Sequence, residues 1–197
     1  MHGEPIEAVK NGVQTLLTTL KQDPYALETA YVSIITFDSS ARQVVPLTDL
    51  MSFNVPGLSA SGTTSLGGAL SLVASSITKE VQKTTADTKG DWRPLIFLMT
   101  DGSPTDDWRK GLNDFKMART GVVVACAAGH DADISVLKEI TEIVLQLDTA
   151  DSSTIKAFFK WVSASISVGS QKIESNKKEV IGLDDLPPPP AEVNVVL

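Results

Sequence analysis

The chain has 197 residues, of which 42% are hydrophobic and 21% charged, and its formal net charge is −7. This length and balance fit one sizeable domain, with or without a tail, whose core forms without staples. The acidity, with no Lys/Arg stripe, argues against a nucleic-acid surface; the one cysteine, Cys126, excludes a disulfide within the chain; and no apolar run reaches the roughly 18 residues of a membrane span. With no signal-peptide pattern at the start, the expected location is the cytoplasm.

From Glu4 to Leu20, apolar residues recur three or four apart at Ile6, Val9, Val13, Leu16, Leu17 and Leu20, one face of an amphipathic helix. Pro5 suits its first turn, where a missing N–H costs nothing. Asp23-Pro24 is expected to close it. "YVSIITFD" (31–38) is β-branched and aromatic, the composition of a strand. "SSAR" turns the chain, and "QVVPLT" returns as a short strand that Pro46 confines to a sheet edge. A loop over 51–64 precedes a helix marked by Leu66, Leu70, Val73, Ile77 and Val81. "PLIFLMT" (94–100) is continuously apolar, as expected of a strand covered on both faces. Asp106 or Asp107 is expected to start the next helix, with Leu112 and Phe115 on its inner side.

"GVVVACAAG" (121–129) reads as a second fully buried strand, with Cys126 as a small hydrophobe. A short helix over 134–140, a strand "IVLQLD" and a last helix follow. That helix carries Ile155, Phe158, Phe159, Val162 and Ile166, with Asp151, Ser152 or Ser153 as its cap. After about Gly169 the pattern dissolves into a Pro-rich, extended tail, whose apolar end "VNVVL" lies back on the domain or docks on a partner. Helices alternating with buried strands predict an α/β fold. It is doubly wound, with a mostly parallel central sheet, an antiparallel edge strand and helices on both faces, over residues 1–168, with the tail at 169–197.

Ligands of such sheets bind beyond the carboxyl ends of the strands, where Asp101 follows its strand at once. Asp106 and Asp107 fit a helix N-terminus, whose partial positive charge favours carboxylates; Asp101 comes too early for that. "SGTTSLGGAL" (61–70) crowds hydroxyls into a loop that opens a helix. Thr64 or Ser65 caps that helix, or a hydroxyl oxygen is offered to a hard cation such as Mg²⁺. A rival reading takes Asp101, Asp106 and Asp107 as the metal cluster of a Mg²⁺-dependent phosphoryl-transfer or hydrolytic enzyme. The sequence lacks a phosphate-cradling Gly-Lys-Ser/Thr loop and a convincing general base for it. Of the two histidines, neither His2 nor His130 adjoins a nucleophile pattern, and His130 reads as a solvated loop residue.

In this order, "ITFDSSARQVVPLT", "SGTTSLGGAL" and "FLMTDGSPTDDW" resemble the von Willebrand factor type A domain. The resemblance implies a Rossmann-like fold and a metal-ion-dependent adhesion site built from three loops: Asp-x-Ser-x-Ser, a Thr before a helix, and an Asp in a Thr-Asp-Gly context. It makes Asp101 and Thr64 metal ligands, the spacing to Ala69-Leu70 favouring Thr64 over Thr63. The metal it implies is Mg²⁺ or another divalent cation such as Mn²⁺ or Ca²⁺. It also implies a non-enzymatic interaction module, with an acidic side chain of the protein partner completing the coordination.

"GEPIEAVKNGVQTLL", "KGDWRPLIFLMTDGSPTDDW" and the "LPPPP" tail resemble the bacterial branch of the family associated with tellurium resistance and stress response. That implies a cytoplasmic scaffold beside kinase and phosphatase proteins of the same gene cluster. The pattern departs from the family at its start, where the relatives' first strand and Asp-x-Ser-x-Ser precede the position Met1 takes. The sequence is therefore expected to be an N-terminally shortened version that lacks the central strand between "YVSIITF" and "PLIFLMT". Two ligands would then hold a metal weakly, and two inner sheet edges would invite association. The rivals are a short form that recruits a strand from a partner and a structural subunit with no working metal site.

Overall fold

The computed structural model describes Met1 and residues 3–176 and 182–196. His2, residues 177–181 of the expected tail and Leu197 lie outside the described residues. Helix α1 (Glu4–Lys21) has Pro5 in its first turn and buries Val13, Leu16, Leu17 and Leu20. Asp23 does not simply end it. Its carboxylate accepts the N–H groups of Tyr25 and Ala26 and starts a short second helix, α2 (Pro24–Thr29). Asp-Pro serves as a helix start as well as a stop, because Pro is pre-set for the first helical position.

Strands β1 (Tyr31–Phe37) and β2 (Ala41–Asp49) form an antiparallel hairpin in which Pro46 sits on the outer strand, as expected. Then come α3 (Leu66–Glu80), β3 (Ile96–Thr100), α4 (Trp108–Lys116), β4 (Val123–Ala128), α5 (Ile134–Ile140), β5 (Ile143–Leu147) and α6 (Ser152–Asn176). β3, β4 and β5 are parallel in that order. Asp151 caps α6 by accepting from the N–H groups of Ser153 and Thr154.

Two hydrophobic clusters sandwich the strands. Val124, Cys126 and Ala128 of β4 face α1 and α6, while Ala125 and Ala127 face α3, α4 and α5. The fold is the expected α/β arrangement with helices on both faces. Cys126 is completely buried, which pushes its thiol up and keeps it neutral. β3 departs from expectation. Ile96, Phe97, Leu98 and Met99 are only half-buried, whereas Val124 to Ala127 are at 0% exposure. The reason is topological: β3 pairs with β4 on one side, and β1 belongs to a separate two-stranded sheet.

α6 continues past Gly169 to Asn176 because the returning chain supports it. Lys172 Nζ contacts Asp185 Oδ1 at 2.7 Å and donates to its carbonyl at 2.8 Å. After a 3-10 turn (Leu183–Asp185), β6 (Asn194–Val196) pairs antiparallel with β5. The described part of "VNVVL" therefore lies back on the domain, with Leu186 and Val193 buried and the Trp161 indole N–H donating to the Pro187 carbonyl at 2.8 Å. Trp161→Phe, which leaves that carbonyl without its donor, is expected to cost about 1 kcal/mol. Denaturant unfolding would show it as a lower midpoint with an unchanged slope. Among the described residues, no helix is long and apolar enough to cross a membrane.

Candidate functional site

Three loops meet beyond the ends of β1 and β3. In the β1–β2 turn, the Asp38 carboxylate accepts from the Ser40 N–H at 3.2 Å and the Ser61 hydroxyl at 3.1 Å. The Ser40 bond first, then the Ser61 bond, hold its carboxyl below the usual range. The Asp38 carbonyl accepts the Ser65 N–H at 2.8 Å. Ser39 Oγ accepts the Thr63 N–H at 3.2 Å. The loop into α3 is thus tied to the hairpin on one side.

On its other side it is tied to the loop after β3. The Thr105 N–H donates to the Thr64 carbonyl at 2.9 Å, and the Thr64 N–H donates to Thr105 Oγ1 at 3.1 Å. Asp106 reaches further. Its Oδ1 accepts the Gly67 N–H at 3.0 Å, and its Oδ2 accepts the Gly68 N–H and the Ser65 hydroxyl, each at 2.9 Å. Partial burial opposes the charge on this carboxylate, but the bonds from Gly67, Gly68 and Ser65 outweigh it and hold its pKa below the usual value.

This corrects the expectation for Asp106, whereas Asp107 stands at the start of the following helix as expected. Asp106 caps α3, not the helix that follows it. Asp107 takes the N-cap position of α4 with an exposed side chain and no cap bond, and Ser65, at the N-cap position of α3, also makes none. A carboxylate from the neighbouring loop has taken over the N–H groups of the α3 terminus, which are unpaired within the helix itself. Two glycines make this approach possible. A Cβ on Gly67 would stand 2.7 Å from the Asp107 carbonyl oxygen and from Trp108 Cα, and one on Gly111 would fall on the Gly67 carbonyl.

Asp101 follows β3 directly, in a turn where the Gly102 N–H donates to Thr100 Oγ1 at 3.4 Å. Its Oδ2 lies 2.6 Å from the ammonium of Met1, the side chains being 35% and 12% exposed respectively. Thr64 is close by, since a Cβ built on Gly102 would stand 3.5 Å from Thr64 Oγ1. Neither the Thr64 hydroxyl nor the Asp101 carboxylate takes part in the loop-to-loop bonds. His130 is exposed in the turn after β4.

Carboxylate and hydroxyl oxygens are the donors that a hard divalent cation takes. In that respect Asp101 and Thr64 fit, although they fill only part of a shell. Among the described residues, no group of three His, Cys, Asp or Glu side chains converges on a metal position, and Asp101, Asp106 and Asp107 are not gathered into one. The Thr64–Thr105 and Ser65–Asp106 bonds lay outside the sequence reading. The doubled glycine of "SLGGAL" was the one local signal of a close approach.

A family profile for the von Willebrand factor type A domain matches residues 1–160. The chain belongs to the von Willebrand factor type A family. Two solved structures show the same fold. A von Willebrand factor type A protein from Catenulispora acidiphila superposes with a TM-score of 0.62 at 18% identity, covering 82% of this chain and 38% of that one. Proximal thread matrix protein 1 from the mussel byssus gives 0.59 at 18% identity, covering 82% of this chain and 42% of its own. The chain therefore spans well under half the length of these structures. Comparison with curated proteins gives no significant match. Von Willebrand factor type A domains generally mediate protein–protein interactions and often bind a divalent metal at an adhesion site.

Proposed function

We propose that this von Willebrand factor type A domain is a non-enzymatic protein-interaction module whose contact runs through a divalent cation held by Asp101 and Thr64. The observation that carries this is the clasp between the two loops. Thr105 and Asp106 fix the α3 entry against the β3–α4 loop, and the Thr64 hydroxyl and Asp101 carboxylate stay outside those bonds. The cation, Mg²⁺ or another such as Mn²⁺ or Ca²⁺, would supply a positive centre for an acidic side chain of the partner. Two protein oxygens leave most of the shell to water and that partner, so binding by these two side chains alone is weak. Loss of Asp106 to the α3 terminus disfavours the rival hydrolase built on Asp101, Asp106 and Asp107.

In the same reading, residues 1–168 are the interaction domain, and the Pro-rich tail over 169–197 begins within α6 and returns to the sheet as β6. The stretches "DPYALETAYVSIITFDSSA", "KGDWRPLIFLMTDGSPTDDW" and "FFKWVSASISVGSQKIES" support a protein similar to the bacterial tellurite-resistance protein TerY. It would act in the cytoplasm as a scaffold in tellurium resistance or stress response, beside kinase and phosphatase proteins of the same gene cluster.

Titration with Mn²⁺, followed by electron paramagnetic resonance of the free ion, tests the cation site. Saturable binding in the roughly millimolar range is expected. Asp101→Ala should abolish it and Thr64→Ala weaken it, both with an unchanged circular dichroism spectrum. Equal binding by the parent chain and Asp101→Ala would overturn the assignment.

A further inference from the structure

We infer that the groove at the start of β3 is a docking site for a short acidic segment of a partner protein that carries one branched aliphatic side chain. The groove lies at the end of β3 away from the candidate cation site: Trp92 and Arg93 precede the strand, whereas Asp101 follows it. Its walls are the last turn of α3, the segment that leads into β3 and the turn after α4. Ile77, Val81 and Trp92 line it half-buried. Met117, also in the lining, is 88% exposed, more than any other large hydrophobic side chain among the described residues. A cavity of about 150 Å³ takes a benzene ring. This one, of about 100 Å³, takes a branched aliphatic side chain.

The walls are fixed by the fold itself. The Gly121 N–H donates to the Pro94 carbonyl at 3.0 Å, which holds the turn after α4 against the entry to β3. The Asp91 N–H donates to the Gln82 carbonyl at 3.0 Å, and the Gln82 N–H donates to Asp91 Oδ2 at 2.8 Å. That pair closes the loop between α3 and β3. It also commits Asp91, the one carboxylate in the lining, to the backbone.

Charge defines the occupant. On a chain of net charge −7, this groove is lined by Lys83, Arg93 and Arg119. The Lys89 ammonium, 4.5 Å from the centre of the Trp92 ring, adds a fourth positive charge beside it. Asp87, exposed on the same loop, is outside the lining. Lys79 and Lys116 stand in the last turns of α3 and α4, where they answer the partial negative charge of the helix ends. Lys83 and Arg119 come after the last helical residues, Glu80 and Lys116, and that field fades within the last turn. Among the described residues, neither Lys83 nor Arg119 forms an ion pair. Cations around an apolar floor suit a segment whose carboxylates meet Lys83 and Arg119 while one aliphatic side chain enters beside Ile77, Val81 and Trp92. No cation is needed for this contact.

The probe is a fluorescein-labelled peptide, Asp-Glu-Asp-Leu-Asp-Glu-Asp, titrated with the full chain in EDTA and followed by fluorescence anisotropy. Saturable binding is expected, weakening about tenfold or more between roughly 0.05 M and 0.5 M salt. Lys83→Glu combined with Arg119→Glu, both at exposed positions, should weaken it about tenfold or more. Serine in place of the peptide's leucine should do the same. The double variant should keep the parent's circular dichroism and Mn²⁺ binding, which separates this groove from the site of Asp101 and Thr64. No saturable binding, equal binding by parent and double variant, or equal binding of the leucine and serine peptides would overturn the inference. Sedimentation of the parent alone as a dimer that the double variant loses would also overturn it, by showing that a second copy fills the groove.

Discussion

Gly111→Ala is expected to destabilise the domain by about 3 kcal/mol, because overpacking at a backbone contact has no rotamer to relieve it. For a chain of this length that corresponds to a drop in Tm of roughly 6–12 °C. The added Cβ would meet the Gly67 carbonyl group and Cα, so α3 and α4 must move apart. That movement pulls the N–H groups of Gly67 and Gly68 from Asp106 and shifts Thr64 relative to Asp101. Mn²⁺ binding should therefore weaken together with Tm. Gly12, at the α1–α6 crossing, provides the contrast. A Cβ there meets the ring of Phe159, a side chain and not backbone, so a shift of that one residue relieves it and Gly12→Ala should cost less. Differential scanning calorimetry of the two variants checks the ranking, and a parent-like Tm for Gly111→Ala would refute the close crossing.

Removing Asp106 is the second large effect. Asp106→Ala takes one carboxylate from three donors and leaves the first turn of α3 uncapped, at a cost of about 2 kcal/mol. The pH dependence has a definite sign. Partial burial tends to raise the pKa of this group, but the bonds from Gly67, Gly68 and Ser65 lower it below its unfolded value of 3.8. The contribution is therefore complete above the unfolded value and disappears as the pH falls through the lower folded one. Denaturation curves of the parent and Asp106→Ala should stay apart near neutrality and converge in acid below 3.8. Asp38, Asp133 and Asp151 are also lowered by local hydrogen bonds, so acid weakens both proteins; only the difference between them reports Asp106. A gap that persists unchanged into acid would mean that the side chain acts through packing.

Most elements were legible because their signal is local. The spacing of Ile6, Val9, Val13, Leu16 and Leu20 can satisfy only one helical face, and α5 falls where the sequence put it, at Ile134–Ile140. Asp101 stood out because an apolar strand ends at Thr100, which needs no tertiary knowledge. α2 was hidden because Asp23-Pro24 carries both the mark of a helix end and that of a helix start. The last part of α6 was hidden because its residues are polar. Ser170 is buried and Lys172 is paired only once the chain has turned back through Asp185.

The candidate site divides along the same line. Sequence alone determined the fold class, the order of the elements, and the placing of an oxygen-rich loop and Asp101 at strand and helix ends, since periodicity and terminus chemistry act over a few residues. Tertiary structure alone decided that Asp106 serves α3, through partners 38 to 41 positions away in the chain. It also decided that Gly67 and Gly111 set the distance between two helices, and that, among the described residues, β1 pairs with β2 and β3 with β4. Capping groups, close backbone approaches and sheet edges depend on which segments become neighbours, and burial of the two cores makes that choice.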